Sequence, residues 1–143
     1  MAEAHRGAFL IWTRDYATGV RTIDGDHQVL FAMVNALHEV VRRGDQPENL
    51  ASLFRRLNHY VERHFAREEQ LMARANYPEL QAHGERHRKL EARLNEMLAD
   101  YEAAPADYDA AALLAFLKDW LTQHVLKSDM DYVPYVNEAG LEG

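Results

Sequence analysis

Four stretches of the chain carry apolar side chains at intervals of three and four residues, and only short polar segments separate them. This spacing is typical of amphipathic α-helices. Helices joined by short connections pack antiparallel to their neighbours. The sequence therefore predicts an all-α fold, an antiparallel up-down-up-down four-helix bundle with an N-terminal arm. We place the arm at 1–22 and the helices at 24–43, 48–75, 78–101 and 108–130, within one domain that spans 1–143.

Local signals set the predicted ends of the helices. Asp24 is a suitable N-cap for the first helix, and Gly44 is a suitable residue to end it. Pro78 disfavours helical geometry in the residue before it and suits the first turn of the third helix. In the arm, we expect three apolar residues to pack on the hydrophobic surface of the bundle: Phe9, Ile11 and Trp12.

The composition excludes several classes of function. A net charge of −7 argues against a general nucleic-acid binder, because phosphate contacts need a basic surface. The chain has no Cys, so disulfides, thiolate zinc sites and iron–sulfur clusters are excluded. The apolar run at residues 8–12 is too short for a membrane span or a secretory signal. We expect a cytoplasmic protein with neither nucleic acid nor membrane as a partner.

Candidate metal ligands occur where the predicted helices share one end of the bundle. Starts of the first and third helices and ends of the second and fourth meet there, because neighbouring helices run in opposite directions. Chance placement would scatter the same residue types along helices about 30 Å long. In chain order the candidates are His27, His64 with Glu68, His83 with His87, and His124 with Asp129.

This set of side chains predicts a metal centre. Pairs four residues apart, such as His64 and Glu68, lie on one helix face. Each His alone is better explained as a hydrogen-bonded core or boundary residue, but burying all seven groups without a cation would cost several kcal/mol per unpaired charge. Five imidazoles and two carboxylates are too many for one tetrahedral zinc and too rich in nitrogen for calcium or magnesium. They suit two iron or manganese ions that share bridging carboxylates.

The interval between His124 and Asp129 does not fit an ideal helix. Five residues correspond to about 140° of rotation, so Asp129 should point away from His124. Asp131 is nearly in line, but it lies about 10 Å further along the axis. We predict that Asp129 is the ligand and that the helix is widened or unwound there, as at functional π-bulges. The same angular argument makes Glu69 and Glu85 poor candidates.

The order of these motifs resembles the hemerythrin family, in particular its bacterial single-domain members. An early His is followed by His-x-x-x-Glu, His-x-x-x-His and His-x-x-x-x-Asp, and the similarity covers essentially the whole chain. Matching neighbours include Trp12, Tyr77-Pro78 and Trp120-Leu121. The resemblance implies a non-haem di-iron centre that binds O₂ reversibly, for oxygen storage, delivery or sensing.

The resemblance also implies a role for each ligand. One iron would be held by His83, His87 and His124, and the other by His27 and His64. Glu68 and Asp129, with an oxo or hydroxo group, would bridge the two irons. The first iron is then six-coordinate, and the second keeps an open position for O₂. Family members line this position with apolar side chains, which here would be Leu30, Phe65, Trp120, Leu121 and Val125, although each is equally consistent with ordinary bundle core.

Other functions remain open at this point, namely a di-iron oxidase or peroxidase and a protein that handles nitric oxide or iron. Ferritin-like di-iron proteins use four glutamates with two Glu-x-x-His motifs. Five imidazoles with two carboxylates make a less anionic site, which should stabilise high-valent iron poorly. We therefore expect an O₂-binding protein and not an enzyme. No role is assigned to the remaining histidines, His5, His38 and His59.

Overall fold

The structure, a computed structural model, describes residues 9–44 and 47–141. These residues form long helices joined by turns, and no strand occurs among them, so the predicted all-α bundle is confirmed. The first eight residues of the arm, with His5, and positions 45–46 of the first connection lie outside the described residues. The long helices are α1 (Arg21–Arg43), α2 (Pro47–Arg74), α3 (Leu80–Ala103) and α4 (Ala110–Gln123). After α4 come a π-helical turn (His124–Ser128), a 3₁₀ turn (Asp129–Tyr132) and a short helix, α5 (Val133–Glu138).

The helices pack in the order that short connections require, with α1 against α2 and α4, and α2 against α3. Their apolar faces meet in a core that includes Leu37, Phe54 and Leu113, all fully buried. A second, smaller cluster closes one pole of the bundle, where Met72 and Tyr132 pack between α2 and the C-terminal segment. In the described ranges no helix combines the length and the apolar character needed to cross a bilayer.

Helix α1 begins at Arg21, so the prediction that Asp24 is its N-cap was wrong. The Asp24 carboxylate instead turns back to the preceding loop, where it accepts hydrogen bonds from the Thr18 backbone N–H at 2.7 Å and the Thr18 hydroxyl at 2.8 Å. This loop is held in place before the helix starts. At the other end the prediction is confirmed, because Gly44 adopts the left-handed conformation with φ of 69° and caps α1.

The break between α2 and α3 occurs at the predicted place, although α3 starts at Leu80 and not at Pro78. Asn76 has a positive φ of 55°, and the Tyr77 N–H donates to the Met72 carbonyl at 3.0 Å. Helices commonly end in this way, with a residue in the left-handed conformation followed by an N–H that donates to a carbonyl five residues back. Pro78 lies in the turn that follows.

The described part of the N-terminal arm lies across α1. The Asn35 side chain accepts from the Leu10 N–H at 2.7 Å and donates to the Leu10 carbonyl at 2.8 Å. These two hydrogen bonds hold the backbone of the arm against α1. Phe9 stacks on His38 with ring centroids 4.5 Å apart, and Trp12 packs against the core as predicted. Ile11 is 43% exposed, so the prediction that it packs on the bundle was wrong.

Candidate metal centre

The seven predicted ligand side chains lie together at one pole of the bundle, and each is at most 7% exposed. Helix α1 contributes His27, α2 contributes His64 and Glu68, and α3 contributes His83 and His87; the segment after α4 contributes His124 and Asp129. Their nitrogen and oxygen atoms form two overlapping groups, each compact enough to hold a metal ion, and both groups contain Glu68 and Asp129.

Glu68 presents a different oxygen to each group. Its Oε1 lies 3.0 Å from His87 Nε2 and 3.5 Å from His83 Nε2. Its Oε2 lies 3.8 Å from His64 Nε2 and 3.9 Å from His27 Nε2. The carboxylate therefore stands between three imidazoles on one side, with His124 as the third at 3.8 Å, and two imidazoles on the other.

Asp129 repeats this division from the opposite side. Its Oδ1 lies 2.8 Å from His124 Nε2 and 3.2 Å from His83 Nε2. Its Oδ2 lies 2.9 Å from His27 Nε2. Two carboxylates that each offer one oxygen to either group have the arrangement of bridging ligands between two metal ions.

The widened turn that we predicted after His124 is confirmed. Residues 124–128 form a π-helical turn, and the Asp129 N–H donates to the His124 carbonyl, five residues back. One wider turn thus brings the His124 and Asp129 side chains to the same side, where an α-helix would separate them. Asp129 is fully buried, whereas Asp131 and Glu85 are exposed.

Two further carboxylates hydrogen-bond to the outer nitrogen, Nδ1, of two of the ligand imidazoles. Asp26 Oδ2 lies 3.0 Å from His64 Nδ1, and Glu69 Oε2 lies 2.8 Å from His87 Nδ1. A hydrogen bond at Nδ1 leaves Nε2 unprotonated and aimed at the centre, and it raises the basicity of the ring as a ligand. Sequence reasoning missed Asp26 and considered Glu69 only as a ligand. Their positions, directly before His27 and directly after Glu68, were the available signal.

Asp26 is itself held by groups from α2. Arg67 donates to both of its oxygens, at 2.9 and 2.7 Å, and the Tyr60 hydroxyl donates at 2.8 Å. Burial raises the pKa of Asp26, but the hydrogen bonds from His64, Arg67 and Tyr60 outweigh burial and leave that pKa well below its ordinary value. The carboxylate facing His64 is therefore ionised.

Tyr132 is a third side chain that sequence reasoning missed. Its hydroxyl donates to Glu68 Oε2 at 2.8 Å and is fully buried. Burial, followed by the charges of Glu68 and Asp129, raises the pKa of Tyr132 well above its ordinary value. The hydroxyl thus stays protonated and keeps Glu68 in position.

The electrostatics of the metal-free side chains call for added positive charge. Burial raises the pKa of Glu68 and Asp129, but the surrounding imidazoles outweigh it, and both carboxyls end well below their ordinary pKa. Burial lowers the pKa of His124, but Asp129 and Glu68 outweigh burial and raise that pKa to about 10. Two fixed negative charges therefore raise the pKa of His27, His83 and His124, and a bound metal would take the place of the protons that they hold.

The donor atoms themselves test whether a metal fits. When the imidazoles are neutral and protonated at Nδ1, all five Nε2 atoms are buried acceptors that face carboxylate oxygens, and neither these nitrogens nor Glu68 Oε1 and the two carboxylate oxygens of Asp129 have a hydrogen-bond partner. Buried polar atoms in native proteins almost always have partners. The unpartnered atoms all face one interior space, and their mixed nitrogen and oxygen chemistry fits two borderline divalent cations. The side chains present therefore fit a pair of metal ions.

Aromatic and aliphatic side chains surround this cluster. Phe65 stacks flat on the His87 ring at a centroid distance of 3.7 Å, and Trp120 stacks on His124 at 5.3 Å. Trp120 is half-buried, whereas Phe65 is fully buried. The other predicted pocket residues are buried in the same core cluster: Leu30, Leu121 and Val125.

Known proteins share both the sequence pattern and the fold. The family model described as hemerythrin HHE cation binding domain matches residues 18–136. The chain is 32% identical to the bacteriohemerythrin of Pseudomonas paraeruginosa, over 92% of this chain and 84% of that protein. It is 31% identical to the bacteriohemerythrin of Methylococcus capsulatus, over 89% of this chain and 96% of that protein. A crystal structure of wild-type hemerythrin superposes with a TM-score of 0.83 at 30% identity, covering 90% of this chain and 98% of that one. The chain belongs to the hemerythrin family.

Proposed function

We propose that this protein binds O₂ reversibly at a non-haem di-iron centre formed by His27, His64, Glu68, His83, His87, His124 and Asp129. The observation that supports the proposal is the division of five imidazoles into three and two around carboxylates that offer one oxygen to each group. The hemerythrin family model gives further support, because its match over residues 18–136 spans every one of these positions.

The unequal division decides where a small ligand would bind. If both carboxylates are shared, one metal would have five protein ligands, namely these two carboxylates with His83, His87 and His124. The other would have four, the same carboxylates with His27 and His64, and so would have room for an external ligand. Two ferrous ions in this site would supply the two electrons and the vacant coordination position that reversible O₂ binding needs.

The side chains around the site control water and protons. Phe65 is buried against the His87 ring, and Leu121 is buried in the adjoining core. Both side chains exclude water from the centre. Exclusion of water protects a reduced metal pair from irreversible oxidation. The raised pKa of Tyr132 keeps its hydroxyl protonated at neutral pH, so Tyr132 positions the Glu68 carboxylate as a neutral hydrogen-bond donor.

We favour binding over turnover because of the charge of the ligand set. Two carboxylates and five neutral imidazoles leave a metal pair more positive than four carboxylates would. Such a site stabilises the low oxidation states in which O₂ can bind and leave. An oxidase, a peroxidase, or a protein that handles nitric oxide or iron would depend on the same residues, so the experiment must separate these functions.

The test begins with metal analysis of protein purified without added metal, where we expect two irons per chain. The deoxygenated, reduced protein is then titrated with O₂. A visible charge-transfer band that appears with O₂ and disappears under vacuum is the expected result. Irreversible bleaching with consumption of a reductant would instead identify an oxidase or peroxidase, and one metal per chain would contradict the di-iron centre.

A pair of α2 variants supplies the control. His64→Ala removes one of only two imidazoles from the second metal, so we expect loss of that metal and of the O₂-dependent band. His59→Ala removes an exposed imidazole from the same helix and should keep both irons and the band. Retention of the band in His64→Ala would contradict the proposed site.

A further inference from the structure

The outer nitrogens of the metal-site imidazoles are not treated alike. His64 and His87 each face an internal carboxylate through Nδ1, from Asp26 and Glu69. Within residues 9–44 and 47–141, neither Nδ1 of His124 nor the buried Nδ1 of His27 has a hydrogen-bond partner, and of these two residues His124 lines a surface pocket. When Nε2 of an imidazole binds a metal, Nδ1 carries a proton and is a donor. His124 is therefore a donor that lacks the acceptor given to two of its neighbours.

A surface pocket of about 270 Å³ lies against His124, between α3 and the π-helical turn. Two cationic side chains, Arg86 and Lys127, form part of its wall, and both are exposed. Its other polar lining comes from Gln123 and Ser128, and Trp120 adds an aromatic face. No acidic residue lines the pocket in the described part of the chain. In a protein with a net charge of −7, this pocket is locally positive.

Arg86 adds a second unmatched contact. Its terminal nitrogen lies 3.4 Å from Nδ1 of His83. A guanidinium has only donors, and the Nδ1 of a metal-bound imidazole is also a donor. Once His83 holds a metal, these two groups cannot hydrogen-bond to each other, so both need an acceptor. No acceptor of negative charge lines this pocket in the described ranges.

We propose that this pocket binds a small oxyanion, such as a sulfate, phosphate or short carboxylate. The anion accepts hydrogen bonds from Arg86, Lys127 and the Nδ1–H of His124. It thus does for His124 what Asp26 does for His64 and what Glu69 does for His87. The inference rests on the proposed function to the extent that His124 must hold a metal through Nε2.

The consequence of anion binding follows from charge. A negative group at Nδ1 makes the imidazole a stronger donor to the metal and offsets the positive charge of the centre. Both effects favour the more oxidised metal. A bound oxyanion therefore lowers the reduction potential of the centre and shifts it away from the reduced form that binds O₂, which makes the pocket a site of regulation.

The test is calorimetric titration of the metal-loaded protein with sodium sulfate, and in a second arm with sodium acetate. The buffer contains no other oxyanion, and chloride holds the ionic strength constant. We expect one saturable site per chain for at least one anion. The arms show whether the pocket prefers a tetrahedral oxyanion or a planar carboxylate.

The matched variants are R86Q/K127Q and R56Q/K118Q. Each pair removes one arginine and one lysine, and the second pair removes exposed cations that contact other parts of the surface, since Arg56 lines a separate pocket and the Lys118 ammonium lies 4.9 Å from the Phe9 ring centroid. R86Q/K127Q should raise the dissociation constant about tenfold or more, since two charged hydrogen bonds are lost, and R56Q/K118Q should bind as the wild type does. Saturating anion should lower the midpoint potential of the wild type and leave that of R86Q/K127Q unchanged.

Two outcomes would overturn the anion site: a metal-replete wild type without saturable anion binding, and equal binding by R86Q/K127Q. Equal binding would mean that the anion binds the metal directly or binds elsewhere. Metal content is measured on every sample. A wild type that lacks two metals defeats the proposed function, whereas a metal-replete wild type that does not bind anions defeats only this inference.

Discussion

Individual residues outside the ligand set decide how firmly the ligands are held. Asp26 is the clearest example, because one buried carboxylate binds the His64 ring, the Arg67 guanidinium and the Tyr60 hydroxyl. It connects α1 to α2 at the level of the centre. Glu69 has the equivalent role between α2 and α3, where it meets His87 and Arg88.

Asp26→Asn tests this positioning role. An amide cannot accept from His64 and Arg67 as a carboxylate does, so we expect the metal held by His27 and His64 to dissociate about 10- to 100-fold more readily. The measurement is metal retained against a chelator, for each of the two metals. Glu39→Gln, which removes an exposed partner of Arg42, is the control and should not change retention. Equal loss of both metals would mean that Asp26 acts through general folding.

Asp26 and Glu69 also show which contacts between side chains the sequence does not predict. Spacing along a helix identified His64 and Glu68, because both lie on one face of α2. The contact between Asp26 and His64 joins two helices, and its existence depends on how α1 is rotated and shifted against α2. No pattern within either helix fixes that rotation to the precision of a hydrogen bond.

At the scale of elements, apolar spacing predicted each of the four long helices but not the short helix α5, and local chemistry predicted some of the helix ends. Gly44 was identifiable because glycine readily adopts the left-handed conformation that ends a helix, and the break after α2 was identifiable from Pro78. The start of α1 was not identifiable, since its N-cap is Val20 and the N-cap makes no side-chain bond. The more typical N-cap residue, Asp24, was bound to the loop before it.

Replacing Gly25 within α1 or Gly44 at its C-cap by alanine should have opposite effects on stability. Gly25 is helical and exposed, and a Cβ there would meet no atom within 4 Å, so Gly25→Ala should raise the free energy of unfolding by about 0.5–1 kcal/mol. Gly44 has a φ of 69°, which alanine adopts with strain, so Gly44→Ala should lower it by about 1 kcal/mol. Urea unfolding of the metal-loaded protein measures both. A stabilised Gly44→Ala would contradict the capping role.

At the scale of the whole molecule, the two poles of the bundle are stabilised differently. Away from the metal centre, apolar packing is continuous and includes Phe54 and Leu94, both almost fully buried. At the centre the interior is filled by buried imidazoles and carboxylates with unpartnered atoms. That pole therefore depends on bound cations, whereas the opposite pole does not.

Removal of the metal with a chelator tests this difference by hydrogen exchange. We expect amide protection to fall around His64, His83 and the π-helical turn, because the unpaired buried groups favour local opening. Amides near Phe54 and Leu94 should keep most of their protection. Reloading with iron should restore the original pattern. A uniform fall along the chain would instead show that the bundle unfolds as one unit when the metal leaves.

The π-helical turn has a consequence for every residue after it. The wide turn inserts one extra backbone unit into the helical ladder, so the phase of the following segment is offset by one position relative to α4. Only in this offset phase does the Tyr132 hydroxyl contact Glu68 and the Val136 side chain pack in the smaller apolar cluster at this end of the bundle. Deleting a single residue between His124 and Asp129 should therefore convert the π-helical turn into an ordinary α-helical turn and leave the C-terminal segment on its present face, whereas an α-helix through the full-length chain would rotate that segment by about 100°.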